Sequence, residues 1–160
     1  MMQHDDPLII KHPDTGFISV SGDDACAFLQ SIITTNVETL SVSACRPSAL
    51  LTPQGRILID MMVYRSATDR FILRCDSRRR DDLFARLRRY RLRRPIEITI
   101  EPDITLYLMI KNKSANQPGT QTISQTISQF RDCADCIISC MDPRSPNLGM
   151  HILYSGTKIT

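Results

Sequence analysis

The period of apolar and polar positions changes several times along the chain, and each change marks an element. Phe17, Ile18, Ser19 and Val20 form a short extended run, and Ser21-Gly22-Asp23-Asp24 follows as a turn rich in helix-capping side chains. Ala25, Phe28, Leu29 and Ile32 then recur at i, i+3, i+4 and i+7, one stripe of a helix that fades at Thr34-Thr35-Asn36. Residues 48–52 read as a strand stopped by Pro53-Gln54-Gly55, and residues 56–65 are the most strand-like stretch of all. A hairpin-like loop at 66–69 leads into another strand at 70–75. Asp76 and Ser77 cap a helix that runs to about Tyr90, with Leu83, Phe84, Leu87 and Tyr90 as its buried stripe. Pro95 ends any helical continuation. Residues 96–100 alternate apolar with polar, and residues 104–110 form a more uniformly apolar strand.

The order strand, helix, strands, helix, strands predicts an α+β fold of antiparallel sheets with helices on one face. Residues 113–129 break the pattern: they are polar, contain Pro118-Gly119, and repeat Thr-Ile-Ser at 122–124 and 126–128. A flexible polar loop is expected there. Strands resume at 136–141 and 150–154, joined by a turn at Asp142-Pro143-Arg144. The expected organisation is an α+β lobe over 1–112, the loop over 113–129, and the start of a second, incomplete α+β lobe over 130–160.

Side chains alternate across a strand, so the stretch 56–65 has two distinct faces. Ile57, Ile59, Met61 and Val63 make one face wholly apolar and therefore core-facing. Leu58, Asp60, Met62 and Tyr64 make the other. A carboxylate buried there without a partner costs several kcal/mol or shifts its pKa, so Asp60 needs water, an arginine or a ligand. Alternation alone leaves two readings open. The face is solvated, or it lines a site that combines apolar surface with a few orienting polar groups.

Composition narrows the class. At 160 residues, 42% hydrophobic and 23% charged, the chain is globular rather than disordered. No apolar run reaches the roughly 18 residues of a membrane helix. The acidic start, Gln3-His4-Asp5-Asp6-Pro7, resembles neither a signal peptide nor an Arg-rich transit peptide, and a cytoplasmic location is expected.

The net charge of +3 hides an asymmetry, because nine arginines fall between Arg78 and Arg94. A solvated helix face paired with Asp81 and Asp82 explains them, as does an anionic partner. Nucleic acid is the weaker reading, since the window has few aromatics for base stacking. The six cysteines are expected to be reduced thiols. Cys133, Cys136 and Cys140 have ligand-like spacing, but i and i+4 on a strand lie about 13 Å apart, too far to share one metal without a bend. His4, His12 and His151 show no ligand spacing, and no phosphate-binding glycine loop is present.

Several blocks together resemble one family. Phe17-Ile18-Ser19-Val20-Ser21-Gly22-Asp23-Asp24-Ala25 with Phe28-Leu29-Gln30 resembles the opening of the YgfZ proteins, relatives of the glycine-cleavage T-protein. Leu51-Thr52-Pro53-Gln54-Gly55-Arg56 followed by Asp60, then Tyr90-Arg91-Leu92-Arg93, then Asp142-Pro143-Arg144 with Leu148-Gly149, continue the resemblance in order. The resemblance implies a folate-binding α+β fold in which Asp60, Met62 and Tyr64 line a tetrahydrofolate pocket. It implies a non-catalytic role in iron–sulfur cluster assembly or repair, with folate and iron–sulfur client or assembly proteins as partners and no membrane. Aminomethyl transfer to tetrahydrofolate is the alternative, weakened because Ile59-Asp60 stands where aminomethyltransferases usually carry Asp-Asp. A basic RNA-binding module is the third reading. The family's later Lys-Gly-Cys motif has no match, so the chain is expected to be the front part of such a protein.

Overall fold

A computed structural model describes residues 8–110 and 134–156. Nine strands and two helices follow in order: β1 (Leu8–His12), β2 (Thr15–Ser21), α1 (Ala25–Ile32), β3 (Ala44–Leu51), β4 (Ile57–Ala67), β5 (Arg70–Asp76), α2 (Arg80–Arg91), β6 (Glu97–Ile100), β7 (Ile104–Ile110), β8 (Cys136–Met141) and β9 (Met150–Ser155). They build two antiparallel sheets, one ordered β3-β4-β5-β2-β6 and the other β1-β7-β9-β8. The α+β class with helices on one face is as expected.

The molecule has three layers. Both helices cover one face of the five-stranded sheet, burying Ile18, Val20, Phe28, Leu29, Val63, Leu73, Leu83 and Leu87. Its other face packs on the four-stranded sheet through Phe17, Cys45, Met62, Tyr64 and Ile72, which meet Ile104, Leu106, Ile138, Cys140 and Leu153. Strands buried on both faces read as continuous apolar runs, as 59–64 of β4 do apart from Asp60.

Several elements differ from expectation. β1 pairs with β7, a strand unmarked in the local pattern because its side chains remain largely exposed. β3 begins at Ala44 rather than Ser48, since pairing with β4 carries Cys45, Arg46 and Pro47 into the sheet. Ile57 is 70% exposed instead of core-facing. A register shift between Leu50 and Leu51 places a bulge at the start of β4, which takes Ile57 out of the alternation. Asp24 does not cap α1 with its side chain; its carboxylate binds Arg94 at 3.0 Å.

Asp76 caps a short 3-10 turn, Ser77–Arg79, accepting the Arg78 N–H at 2.9 Å; α2 itself begins after it, at Arg80, without a side-chain cap. The buried stripe of α2 is narrower than expected: Leu83 and Leu87 are buried, whereas Phe84 is half-buried and Tyr90 exposed. The helix ends where Leu92 takes φ +52°, before Pro95 is reached.

The four-stranded sheet draws on both sides of the expected 113–129 loop, because β9 pairs with β7. The loop itself lies outside the described residues, as does Cys133.

Candidate functional site

A cavity of about 380 Å³ opens between the two sheets. Its walls come from the end of β1 and the turn after it, the middle of β3 and β4, the end of β5, and Arg144 beyond β8. Asp60 and Met62 both line it, with Arg74 and Arg144. Asp60 is exposed, and among the described residues its carboxylate accepts no hydrogen bond. Met62 is 2% exposed and also packs in the inter-sheet core. Cavities of this size suit small organic ligands, and this one combines three carboxylates (Asp14, Asp60 and Asp76), two guanidinium groups and apolar surface.

Tyr64 does not reach the cavity. It is fully buried on the inter-sheet face, two residues beyond Met62. Its hydroxyl lies 2.8 Å from His151 Nδ1, and His151 Nε2 lies 2.9 Å from Asp142 Oδ2. Asp142 in turn accepts from Arg144 Nε at 2.9 Å, Nη2 at 2.6 Å and the backbone N–H at 2.9 Å. A continuous relay thus runs from Tyr64, through two buried polar groups, to a half-exposed arginine on the cavity wall.

Electrostatics account for the proton positions. Burial raises the Tyr64 phenol far above its ordinary range, so its proton is retained and donated to Nδ1. The imidazole proton on Nε2 is then donated to Asp142, which satisfies both contacts. Hydrogen bonding by the Arg144 guanidinium, joined by its backbone N–H and the adjoining His151, holds the Asp142 carboxyl far below the usual range and outweighs burial.

Two cysteines complete the interior. Cys45 is the cross-strand partner of Tyr64 on one sheet, and Cys140 is the cross-strand partner of His151 on the other. Their sulfurs face each other at 3.2 Å. A bulge between Cys136 and Ile138 turns Cys136 to the outer side of the sheet, beside Met109 and Ile152, while Cys140 points inward. The two are therefore on opposite faces. Among the described residues no group of three His, Cys, Asp or Glu side chains is arranged to hold a metal ion.

No local pattern assigns a site role to His151, Asp142, Arg144, Arg74 or Cys45. One local signal was available for His151: it interrupts the apolar strand Met150–Ser155 at an inward position. Asp142 and Arg144 were visible only as a turn and as part of one block resembling the family, with no role attached. The arginine window is largely paired within the chain. Arg78, Arg79, Arg80, Arg86 and Arg94 make ion pairs with Asp76, Asp82, Asp81, Asp82 and Asp24 respectively. Arg88 lies over the Phe84 ring at 5.7 Å. Among the described residues no helix is long and apolar enough to cross a membrane.

Comparison with known proteins agrees with this architecture. The fold resembles the crystal structure of glycine cleavage system aminomethyltransferase T from Bartonella henselae, with a TM-score of 0.70 at 16% identity over 91% of this chain and 41% of that one. An iron–sulfur cluster assembly factor IBA57 homolog, mitochondrial, from Chaetomium globosum is 32% identical over 88% of this chain and 36% of its own length. Its counterpart from Mycosarcoma maydis is 27% identical over 94% of this chain and 37% of its own length. The chain therefore spans a little over a third of these relatives. The sequence profile of the GCVT N-terminal domain matches residues 9–111, more than half the chain, and the protein belongs to that family.

Proposed function

We propose that the protein binds a reduced folate in the cavity at Asp60 and serves iron–sulfur cluster assembly without itself performing chemistry on the ligand. The observation that carries the reading is the cavity's composition: the Asp60 carboxylate, which accepts no hydrogen bond among the described residues, stands with Arg74, Arg144 and apolar surface, beside Asp14 and Asp76, in a GCVT-family domain. Tetrahydrofolate joins a flat, donor-rich pterin to an anionic glutamate tail. Asp60 suits the pterin N–H donors, and Met62 offers adaptable apolar contact. Arg74 and Arg144 suit the tail carboxylates. Tyr64 acts as a positioning residue, through His151 and Asp142, on the orientation of Arg144. The iron–sulfur part of the reading rests on the relatives named as assembly factors.

Titration with tetrahydrofolate tests the ligand. Asp60→Asn is expected to weaken binding by about tenfold or more through loss of a charge-assisted hydrogen bond, with the unfolding midpoint unchanged. Unchanged affinity removes Asp60 from the site. For the cellular role, deletion of the gene is expected to lower iron–sulfur enzyme activities while their polypeptide levels hold. Undiminished activities would reject it.

A further inference from the structure

The relay leaves two thiols that the proposed ligand site does not use. Cys45 and Cys140 come from different sheets and are separated by 95 positions, yet their sulfurs stand 3.2 Å apart. Closing to a disulfide bond of about 2.05 Å requires a further approach of about 1.2 Å. Both belong to edge strands, β3 at the margin of the five-stranded sheet and β8 at the margin of the four-stranded one. Edge strands yield more readily than central ones, since each is held by a single neighbour. A second cavity, of about 420 Å³, lies beside β8, lined by its residues Cys136 to Ser139 and by Ser43 just before β3.

We propose that Cys45 and Cys140 are a reversible dithiol–disulfide pair that, when oxidised, ties one sheet to the other behind the cavity. The geometry also distinguishes the two sulfurs. The Cys140 thiol donates toward Cys45, and His151 adds further support, so Cys45 yields its proton below the ordinary thiol range despite burial. The Cys140 proton is correspondingly held. Cys45, which accepts from Cys140, is the sulfur placed to attack, and Cys140 the one placed to resolve.

A peroxide is the oxidant small enough for a buried pair. The Cys45 thiolate attacks one peroxide oxygen; an S–O bond forms, the O–O bond breaks, and the departing hydroxide takes a proton to become water. Cys140, giving up its proton, then attacks the Cys45 sulfenic sulfur. The S–S bond forms, the S–O bond breaks, and a second water leaves. Two thiols are oxidised by two electrons and one peroxide is reduced to two waters. A dithiol reductant reverses the bond by exchange.

The consequence reaches the ligand wall. The Cys45 thiol also lies 3.7 Å from the Met141 carbonyl, and Asp142 follows immediately to hold Arg144. A covalent tie at Cys140 therefore restrains the segment that carries this arginine.

The full chain, treated with hydrogen peroxide and then alkylated, is digested without reduction and mapped by mass spectrometry. A Cys45–Cys140 linked peptide is expected as the dominant cross-link, together with a rise in Tm of roughly 10 °C that dithiothreitol reverses. Cys140→Ser and Cys45→Ala should each lose the linked peptide and the shift, while Cys136→Ser should keep both. Recovery of both thiols fully alkylated, a dominant link through any other cysteine, or accumulation of sulfinic acid at Cys45 without a link would overturn the proposal. The wild-type map decides even if a variant fails to fold.

Discussion

The Tyr64 hydroxyl lies 2.8 Å from His151 Nδ1 although 87 positions separate them in the chain. Each residue is fixed by its own sheet, and the bond joins the two sheets in a dry interior. A buried polar group without its partner costs about 1–3 kcal/mol. Tyr64→Phe removes the donor to Nδ1 and is expected to lower stability by about 1–2 kcal/mol in urea unfolding. His151→Leu leaves Tyr64 without its partner and takes one donor from Asp142, which keeps Arg144, so a larger loss of about 3 kcal/mol is expected. Equal effects of the two substitutions would contradict the relay.

Asp142 gives the relay a pH dependence. Its carboxyl pKa is depressed in the folded state, chiefly by hydrogen bonds from Arg144, so the folded form releases this proton more readily than the unfolded chain does. The resulting stability is fully present above the unfolded carboxylate pKa of about 3.9 and is lost as pH falls toward the folded value. Chemical unfolding across pH 2–6, roughly the window around that pKa, should therefore show a steeper acid loss in wild type than in Asp142→Asn. Near neutral pH the same substitution is expected to cost about 2–3 kcal/mol, since it weakens hydrogen bonds to a buried charged group.

Gly149 delivers β9 to its place. It adopts φ +80°, and a Cβ there would collide with the Met109 carbonyl oxygen on β7. Gly149→Ala combines left-handed strain with that clash and is expected to cost at least about 2 kcal/mol by thermal or urea unfolding. Because His151 lies two residues on, a loss of tetrahydrofolate affinity should accompany it. Gly55→Ala is the contrasting case. Its φ is +78° but nothing lies within 4 Å of the added carbon, so only the backbone strain of about 1 kcal/mol should appear.

The two cavity arginines divide the ligand. If Arg74 and Arg144 meet the tail carboxylates, Arg144→Gln should weaken tetrahydrofolate binding by about tenfold and leave binding of a pterin without a glutamate tail nearly unchanged. Asp60→Asn should weaken both. Isothermal titration with the two ligands separates these outcomes, and a parallel loss for both ligands in Arg144→Gln would place the arginine against the pterin instead.

Much of the architecture was legible because it depends on short-range periodicity. The i, i+3, i+4, i+7 stripe of α1 and the alternation of β4 from Ile59 to Tyr64 appear where the apolar pattern placed them. The failures share one cause. β1 depends on pairing with β7, far along the chain, and the first half of β3 and the exposure of Ile57 depend on the register and bulge of the β3–β4 pair, so each is set by strand pairing rather than by local period. The candidate site followed the same division. Asp60 and Met62 reach the cavity from the strand face that alternation assigned them. Tyr64 shares that face but meets the second sheet, because the sheets come together over that part of β4.

Residue pattern alone carries the strand–helix order from β2 onward, the two faces of β4 between Ile59 and Tyr64 and, through several ordered blocks, the resemblance to the family. Such features rest on side-chain period and local turn chemistry, which a chain carries wherever it goes. Folding in three dimensions is what makes neighbours of β7 and β9 and brings Tyr64 to His151 and Cys45 to Cys140. These contacts join residues 87 and 95 positions apart across the space between two sheets. Their geometry comes from sheet stacking and strand register, which no local pattern in the chain encodes.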